Sequence, residues 1–137
     1  MWQACLSAPH TALGVWEAER LVALAVLYVV PADDVESLAA CLSQPQLRLL
    51  PSANYKICMV SPYHRGHGLQ YQLGQHLHDV ARRQGIRLLC STVSPTNEAS
   101  IRSILRLGYR YDHTLTKYGH TRNLYYCEID KCLSETS

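Results

Sequence analysis

The sequence contains no phenylalanine, although it contains nine tyrosines. Because a buried tyrosine hydroxyl needs water or a hydrogen-bond partner, aromatic packing in this protein must include polar contacts. Long apolar runs are also missing. The longest, Leu21 to Val30, has ten residues, about half of the roughly twenty that a membrane-spanning helix needs. We therefore interpret it as a buried strand and expect no contact with a membrane.

Charge is scarce as well. Charged residues make up 18% of the chain and the net charge is only +2, so no nucleic-acid partner is expected. Apolar residues make up 47%, which is typical of globular rather than disordered chains. A chain of 137 residues has the length of one ordinary domain, so we expect a single domain over residues 1–137.

The six cysteines form no C-x-x-C pair, and the N-terminus lacks the basic and apolar regions of a secretory signal. Cys58, Cys90 and Cys127 lie inside apolar runs, where a reduced cysteine behaves as a small hydrophobic residue. We expect reduced thiols in a cytoplasmic protein, with a disulfide framework as the alternative. No metal site is expected, because His76 and His78 would point in nearly opposite directions from a helix.

The spacing of apolar residues predicts a mixed α/β sheet. Residues 1–13 are weakly patterned and are predicted as, at most, the remnant of a helix. The later segments are predicted as a hairpin from Gly14 to Val30, a helix from Asp33 to Pro45, a strand Ala53–Val60 that is apolar on both faces, a helix from Leu69 to Gly85, a strand over 86–93, a helix from Asn97 to Gly108, and a hairpin that turns at Gly119. The central strand–helix–strand unit should be parallel, with an antiparallel hairpin on each side.

One short stretch, from Arg65 to Gln70, joins a predicted buried strand to a helix. The first backbone N–H groups of a helix have no partner within it, and the helix dipole is positive there. Gly66 and Gly68 would let these groups approach a bulky anion, and Arg65 adds a cation suited to phosphate. The stretch therefore has the features of a phosphate cradle. The alternative is a loop whose glycines serve only to turn the chain.

Two longer segments, VSPYHRGHGLQYQL and VSPTNEASIRSILRLGY, carry a family resemblance. Over residues 14–129 the sequence resembles the GNAT superfamily of acetyl-CoA-dependent N-acetyltransferases. The family loop reads Arg/Gln-x-x-Gly-x-Gly/Ala, which Arg65 and Gly68 match, while Gln70 replaces the usual Gly or Ala. In the second segment Asn97, Gly108 and Tyr109 fall at the family's positions.

The resemblance implies a GNAT-like sheet that lacks most of the usual N-terminal strand and two helices. It also implies transfer of acetyl from the cosubstrate acetyl-CoA to a primary amine of a small molecule or peptide. The pantetheine arm would lie along Met59 and Val60, and Asn97 would contact the arm, cap its helix, or do both. The pyrophosphate would lie on the amides of Gly66, His67, Gly68, Leu69 and Gln70, beside Arg65.

The sequence departs from the family at the catalytic groups. Many relatives have a proton-donating tyrosine where this chain has Ile104, and the strand before the loop carries no carboxylate. Tyr118 is the candidate replacement, although it could be an ordinary surface tyrosine. Arg122 either pairs with an acidic substrate or is an ordinary surface arginine. The alternative functions are a CoA-binding module without catalysis and a dimeric interaction protein. The short N-terminus implies an acceptor site that is open, an acceptor site walled by the second subunit of a homodimer, or a loss of activity.

Overall fold

The computed structural model describes residues 2–4, 11–29, 37–61, 63, 68–117 and 119–129. Its strands and helices are, in chain order, β1 (Trp2–Ala4), β2 (Thr11–Glu17), β3 (Arg20–Tyr28), β4 (Ser52–Val60), α1 (Leu69–Arg83), β5 (Leu88–Val93), α2 (Glu98–Arg106), β6 (Arg110–Lys117) and β7 (His120–Glu128). Two short 3₁₀ helices, Ala39–Cys41 and Pro45–Leu49, lie between β3 and β4.

The described strands form one sheet in the order β1-β2-β3-β4-β5-β7-β6. β4 and β5 are parallel, and every other neighbouring pair is antiparallel. Helix α1 is the crossover between the two parallel strands, as the predicted strand–helix–strand unit requires. The predicted fold class, a mixed α/β sheet with antiparallel strands on each side of a parallel pair, is confirmed.

A separate apolar cluster covers each face of the sheet. On one face, Leu73, Leu77 and Ala81 of α1 are fully buried against strands β3, β4 and β5. On the other face, the 3₁₀ segment buries Leu42 and Leu47 against β5 and β7. We call these the α1 face and the 3₁₀ face. Because strand residues alternate between faces, each strand position can be assigned to one of them.

The prediction for residues 1–13 is wrong where the structure describes them. Trp2–Ala4 forms a strand that pairs with β2, and β2 begins at Thr11 rather than at Gly14. The strand has only three residues, too few for a local periodicity to mark it. Residues 5–10, between β1 and β2, lie outside the described residues.

The predicted helix from Asp33 to Pro45 is also wrong over its described part, and residues 31–36 lie outside the described residues. Only Ala39–Cys41 is helical, with 3₁₀ geometry, and Leu42 is extended. Asp112 on β6 accepts hydrogen bonds from the Ser43 amide at 3.1 Å and from the Ser43 hydroxyl at 2.9 Å. Arg48 donates from Nε to the Leu42 carbonyl at 2.8 Å. These bonds satisfy backbone groups that a continued helix would have used.

The cysteines that the structure describes in full, Cys41, Cys90 and Cys127, are free. Cys90 is buried, and burial raises the pKa of its thiol to about 12, so the side chain behaves as a small apolar group. Among the described helices, none has the length and apolar character that crossing a membrane requires.

A testable consequence concerns Ala18, in the turn between β2 and β3. Its φ of 56° is in the left-handed region, which costs an L-residue about 1 kcal/mol or more. We expect Ala18→Gly to raise the free energy of unfolding by about 1 kcal/mol in urea denaturation. The matched change Ala99→Gly, in helix α2, should lower it by a similar amount. A loss of stability in Ala18→Gly would contradict the turn geometry.

His78 gives a pH-dependent prediction. Its ring lies against Tyr109, with Nε2 at 3.4 Å from the hydroxyl, and burial, assisted by the charge of Arg82, lowers its pKa from 6.5 to about 4. The fold therefore favours the neutral ring, so its stabilisation is complete above pH 6.5 and is lost as the pH falls towards 4. We expect His78→Gln to remove about 2–3 kcal/mol of the stability change between pH 7 and pH 4.

The control for this experiment is His76→Gln, because His76 is exposed on the same helix. The unfolding free energy would be measured for the parent and both variants at several pH values in the same buffer. An unchanged pH dependence in His78→Gln would show that the fold does not hold this ring neutral.

Candidate functional site

The parallel strands β4 and β5 separate part-way along their length. They pair only where Ser52–Asn54 meets Leu88–Cys90. Beyond that point β4 continues to Val60 while paired to β3, and β5 continues to Val93 while paired to β7. The facing edges of the two strands therefore diverge, and a gap opens in the middle of the sheet.

A β-bulge explains why β4 turns away. Leu24 on β3 pairs with Met59, but the next residue, Ala25, pairs with Ile57, so Cys58 is an extra residue in β4. A bulge of this kind bends its strand and increases the local twist. The bend lies beyond the residues where β4 and β5 pair. The bulge in β4 is therefore consistent with the gap between the two strands.

The gap contains a cavity of about 660 Å³ that reaches both faces of the sheet. This volume is in the range of small-ligand sites. Strands and helices from both sides of the gap form its wall. These residues are Leu38 before the first 3₁₀ helix, Val26 and Tyr28 of β3, Asn54, Tyr55 and Lys56 of β4, Ser91, Thr92 and Val93 of β5, Ser94 and Asn97 before α2, Ser100 and Ile104 within α2, and Lys117, His120 and Arg122 of the last hairpin.

The start of helix α1 lies at the carboxyl end of β4. Gly68 has a φ of 77°, in the left-handed region, and a Cβ added there would have no atom of the described residues within 4 Å. The backbone N–H groups of Gly68, Leu69 and Gln70 donate to no acceptor among the described residues. Unpaired amides in open space at the positive end of a helix suit an anion.

The start of helix α2 lies beside that of α1. Asn97 caps α2, because its Oδ1 accepts a hydrogen bond of 3.2 Å from the Ser100 amide. The side chain of Gln70 donates to the Ser100 hydroxyl at 2.9 Å and so links the two helix starts. The Gln70 side chain is thereby turned towards α2, and its backbone N–H is left unpaired.

The structure gathers several of the residues predicted from sequence. Met59 and Val60 end β4, Gly68 precedes α1, Leu69 and Gln70 form its first turn, and Asn97 lines the cavity. The predicted residues Arg65, Gly66, His67 and Tyr118 lie outside the described residues. Lys117 and His120, which precede and follow residues 118 and 119 and pair with each other, both line the cavity.

Sequence reasoning missed the polar wall of the cavity. Ala53–Val60 is predicted to carry apolar residues on both faces and to lie deep in the sheet, and β4 is indeed the central strand. The prediction overlooked that Asn54 and Lys56 line the cavity while Tyr55 is buried. The alternation Asn-Tyr-Lys was the available signal for one polar face. His120 on β7 has no comparable signal, because its position depends on the pairing of distant strands.

Comparison with known proteins places the chain in a family. The sequence profile of the acetyltransferase (GNAT) family matches residues 1–109, which is more than half of the chain. The chain belongs to the acetyltransferase (GNAT) family. The predicted resemblance is therefore confirmed, and this family uses acetyl-CoA as its acetyl donor. No curated protein sequence matches the chain.

Solved structures support the GNAT fold. The yncA protein of Salmonella typhimurium, solved with its cofactor acetyl-CoA, superposes with a TM-score of 0.67 at 21% identity, over 92% of this chain and 68% of its own. The ribosomal-protein-S18-alanine N-acetyltransferase of Escherichia coli gives 0.68 at 17% identity, over 96% and 77%. The spermidine N-acetyltransferase SpeG of Vibrio cholerae, as an F149A mutant, gives 0.66 at 16% identity, over 95% and 72%.

The cap of α2 in this GNAT chain can be tested by stability alone. Asn97→Ala removes the acceptor for the Ser100 amide and should lower the free energy of unfolding by about 1 kcal/mol. Asn97→Asp keeps an acceptor oxygen at the same place and should retain the parent's stability within a few tenths of a kcal/mol. Urea denaturation of the three proteins would measure both effects, and equal stability of parent and Asn97→Ala would exclude the capping role.

Proposed function

We propose that the chain transfers the acetyl group of acetyl-CoA to a primary amine of a small molecule or peptide. The observation that carries this proposal is the gap between β4 and β5, which holds a cavity, together with the first amides of α1, which have no acceptor among the described residues. The pantetheine arm of acetyl-CoA would pass through the gap in the sheet, and its diphosphate would bind to the amides.

The donor would be held mainly by backbone groups. The diphosphate would lie on the amides from Gly66 to Gln70 beside Arg65, and Asn97 would contact the arm from the cavity wall. The arm itself would extend along the free edge of β4 at Met59 and Val60. Such pairing adds a strand-like partner to an exposed edge, so it depends little on side-chain identity.

The Val60 amide is the proposed donor to the thioester carbonyl. The Ser61 amide donates to the Val22 carbonyl on β3 at 2.7 Å. Because successive amides of a strand point to opposite sides, the Val60 amide points into the gap. A backbone N–H in that position would stabilise the negative charge that develops on the carbonyl oxygen during attack.

The remaining steps move one proton. The amine nitrogen forms a bond to the acetyl carbon, the carbon–sulfur bond breaks, and the nitrogen loses a proton while the CoA sulfur gains one. His120 in the cavity wall is the proposed proton acceptor. Tyr118, in the turn between Lys117 and His120, is the proposed donor to the sulfur. No tyrosine stands at the usual position, where Ile104 is buried in the wall.

Ile104 also favours the second candidate function, a CoA-binding module that no longer catalyses. A buried aliphatic side chain cannot donate a proton, so this chain would bind acetyl-CoA without catalysing acetyl transfer. The predicted cytoplasmic location and homodimer remain predictions under either function.

The deciding experiment is calorimetric titration of acetyl-CoA into the parent protein and two matched variants. Gly68 and Gly85 lie at opposite ends of α1, both with left-handed φ and open space around them. Aspartate tolerates this conformation better than most residues, but at position 68 its charge would oppose the diphosphate. We expect Gly68→Asp to weaken acetyl-CoA binding at least tenfold and Gly85→Asp to leave it unchanged.

A second measurement distinguishes the two functions. Release of the CoA thiol would be followed across a panel of primary amines with the parent protein. Amine-dependent release supports the acetyltransferase, and binding without release supports the module. If acetyl-CoA does not bind to the parent protein, both functions are wrong.

A further inference from the structure

The cavity wall is basic. Among its described lining residues, Lys56, Lys117, His120 and Arg122 carry basic side chains, and none carries a carboxylate. A site that must accept a cationic acceptor such as a polyamine would be expected to have the opposite charge, because like charges repel at short range. The charge of the wall therefore indicates the charge of the acceptor.

All four basic residues belong to the 3₁₀ face. Tyr55, next to Lys56, is buried in the core beside α1, so strand alternation directs Lys56 to the opposite face. Arg122 and His120 share the face of Leu124, which is buried under the 3₁₀ segment. Lys117 is paired with His120. The four residues are therefore separated by the sheet from helix α1, whose first amides are the proposed diphosphate site.

Arg122 has a buried N–H group that an anion could accept from. Its Nη2 donates to the Thr92 carbonyl at 3.1 Å, which holds the guanidinium at the carboxyl end of β5. Its Nε is buried and has no acceptor among the described residues. A buried donor attached to a charged group is costly when it is unpaired, and a planar guanidinium is well suited to a carboxylate or a phosphate.

Lys56 approaches the same cavity from the other wall. It lies on β4, paired with Val26 of β3, whereas Arg122 lies on β7 beyond β5. Its side chain is exposed, so a flexible ammonium can follow a ligand without disturbing the fold. One fixed cation and one mobile cation thus face each other across the gap.

We propose that the acceptor carries an anionic group, a carboxylate or a phosphate, in addition to its primary amine, and that Arg122 and Lys56 bind that group. This inference rests on the proposed acetyltransferase function and specifies its substrate class. The amine would then lie between the anion-binding wall and the thioester in the gap.

The test uses two pairs of acceptors that differ in one anionic group. Phosphoethanolamine would be compared with ethanolamine, and 4-aminobutyrate with 4-aminobutanamide, by following CoA thiol release with the full chain. We expect kcat/KM to be at least tenfold higher for the anionic member of at least one pair, and the preferred pair distinguishes phosphate from carboxylate. A higher kcat/KM for both ethanolamine and 4-aminobutanamide, the members that lack the anionic group, would overturn the proposal.

Variants assign the preference to the two cations. Lys56→Gln and Arg122→Gln should each raise KM for the preferred anionic acceptor about tenfold while leaving the Kd of acetyl-CoA unchanged. Lys56→Glu should reverse the preference within the pair. Arg110→Gln, an exposed arginine at the start of β6 outside the cavity wall, is the matched control and should behave as the parent. Because Lys56 is exposed, its variants keep the test valid even if Arg122→Gln fails to fold.

Calorimetry separates the possible failures. Weaker acetyl-CoA binding in both glutamine variants would show that these residues serve the cofactor's phosphates, and this would overturn the inference while the proposed function stands. If the parent binds acetyl-CoA but releases no thiol with any acceptor, the Kd of each of the same four compounds would be measured in the presence of CoA. These Kd values then test the inference. Tighter binding of the anionic members supports the inference, and equal binding overturns it. Failure of the parent to bind acetyl-CoA would refute the proposed function itself.

Discussion

The loss of backbone pairing between β4 and β5 is the constraint on which the rest of the structure depends. The two strands share hydrogen bonds only over their first residues, and each then continues with a different neighbour, β3 or β7. Unpaired strand edges inside a sheet are unfavourable unless water or a ligand satisfies them. The sheet therefore leaves, at its centre, a row of backbone groups available to another molecule.

Packing on the α1 face supports the diverging strands. Tyr55 of β4 is almost fully buried and stacks on Tyr109, with ring centroids 5.8 Å apart, and Tyr109 in turn contacts His78 of α1. Gly74 lets α1 approach this layer, because a side chain there would collide with Leu107 and lie 3.1 Å from the Tyr55 hydroxyl. The absence of phenylalanine is consistent with this arrangement, in which tyrosines and a histidine form the aromatic layer.

On the 3₁₀ face, a polar contact holds the segment that closes the cavity. The Asp112 carboxylate binds the amide and hydroxyl of Ser43 and also lies 2.5 Å from Nδ1 of His113. These hydrogen bonds outweigh the effect of burial and lower the pKa of Asp112. The carboxylate thus remains ionised and keeps the segment containing Leu38 and Leu42 against β5 and β7. The same contact explains why the chain is not helical at Leu42 and Ser43, where a helix is predicted.

Local signals made part of this structure predictable. The helix cap at Asn97, the glycines at 68, 85 and 108, and the period of α1 depend on neighbouring residues and could be predicted from them. The features that could not be predicted depend on contacts with other strands. The strand Trp2–Ala4 is defined by its pairing with β2, the extended backbone at Leu42 by the contact of Ser43 with Asp112, and the basic wall by strands that are far apart in sequence. Pairing across such distances leaves little trace in any short window of sequence.

The basic wall also bears on the missing general base. An amine must be neutral to attack a thioester, and β4 carries no carboxylate that could accept its proton. Positive charges near an ammonium disfavour its charged form and so lower its pKa. Lys56 and Arg122 would act in this direction on any amine bound in the cavity, while an anionic group on the same acceptor would offset the repulsion between acceptor and wall. The anionic group would thus bring the acceptor into the cavity, and only the positive charge that it leaves uncompensated would favour the neutral, reactive amine.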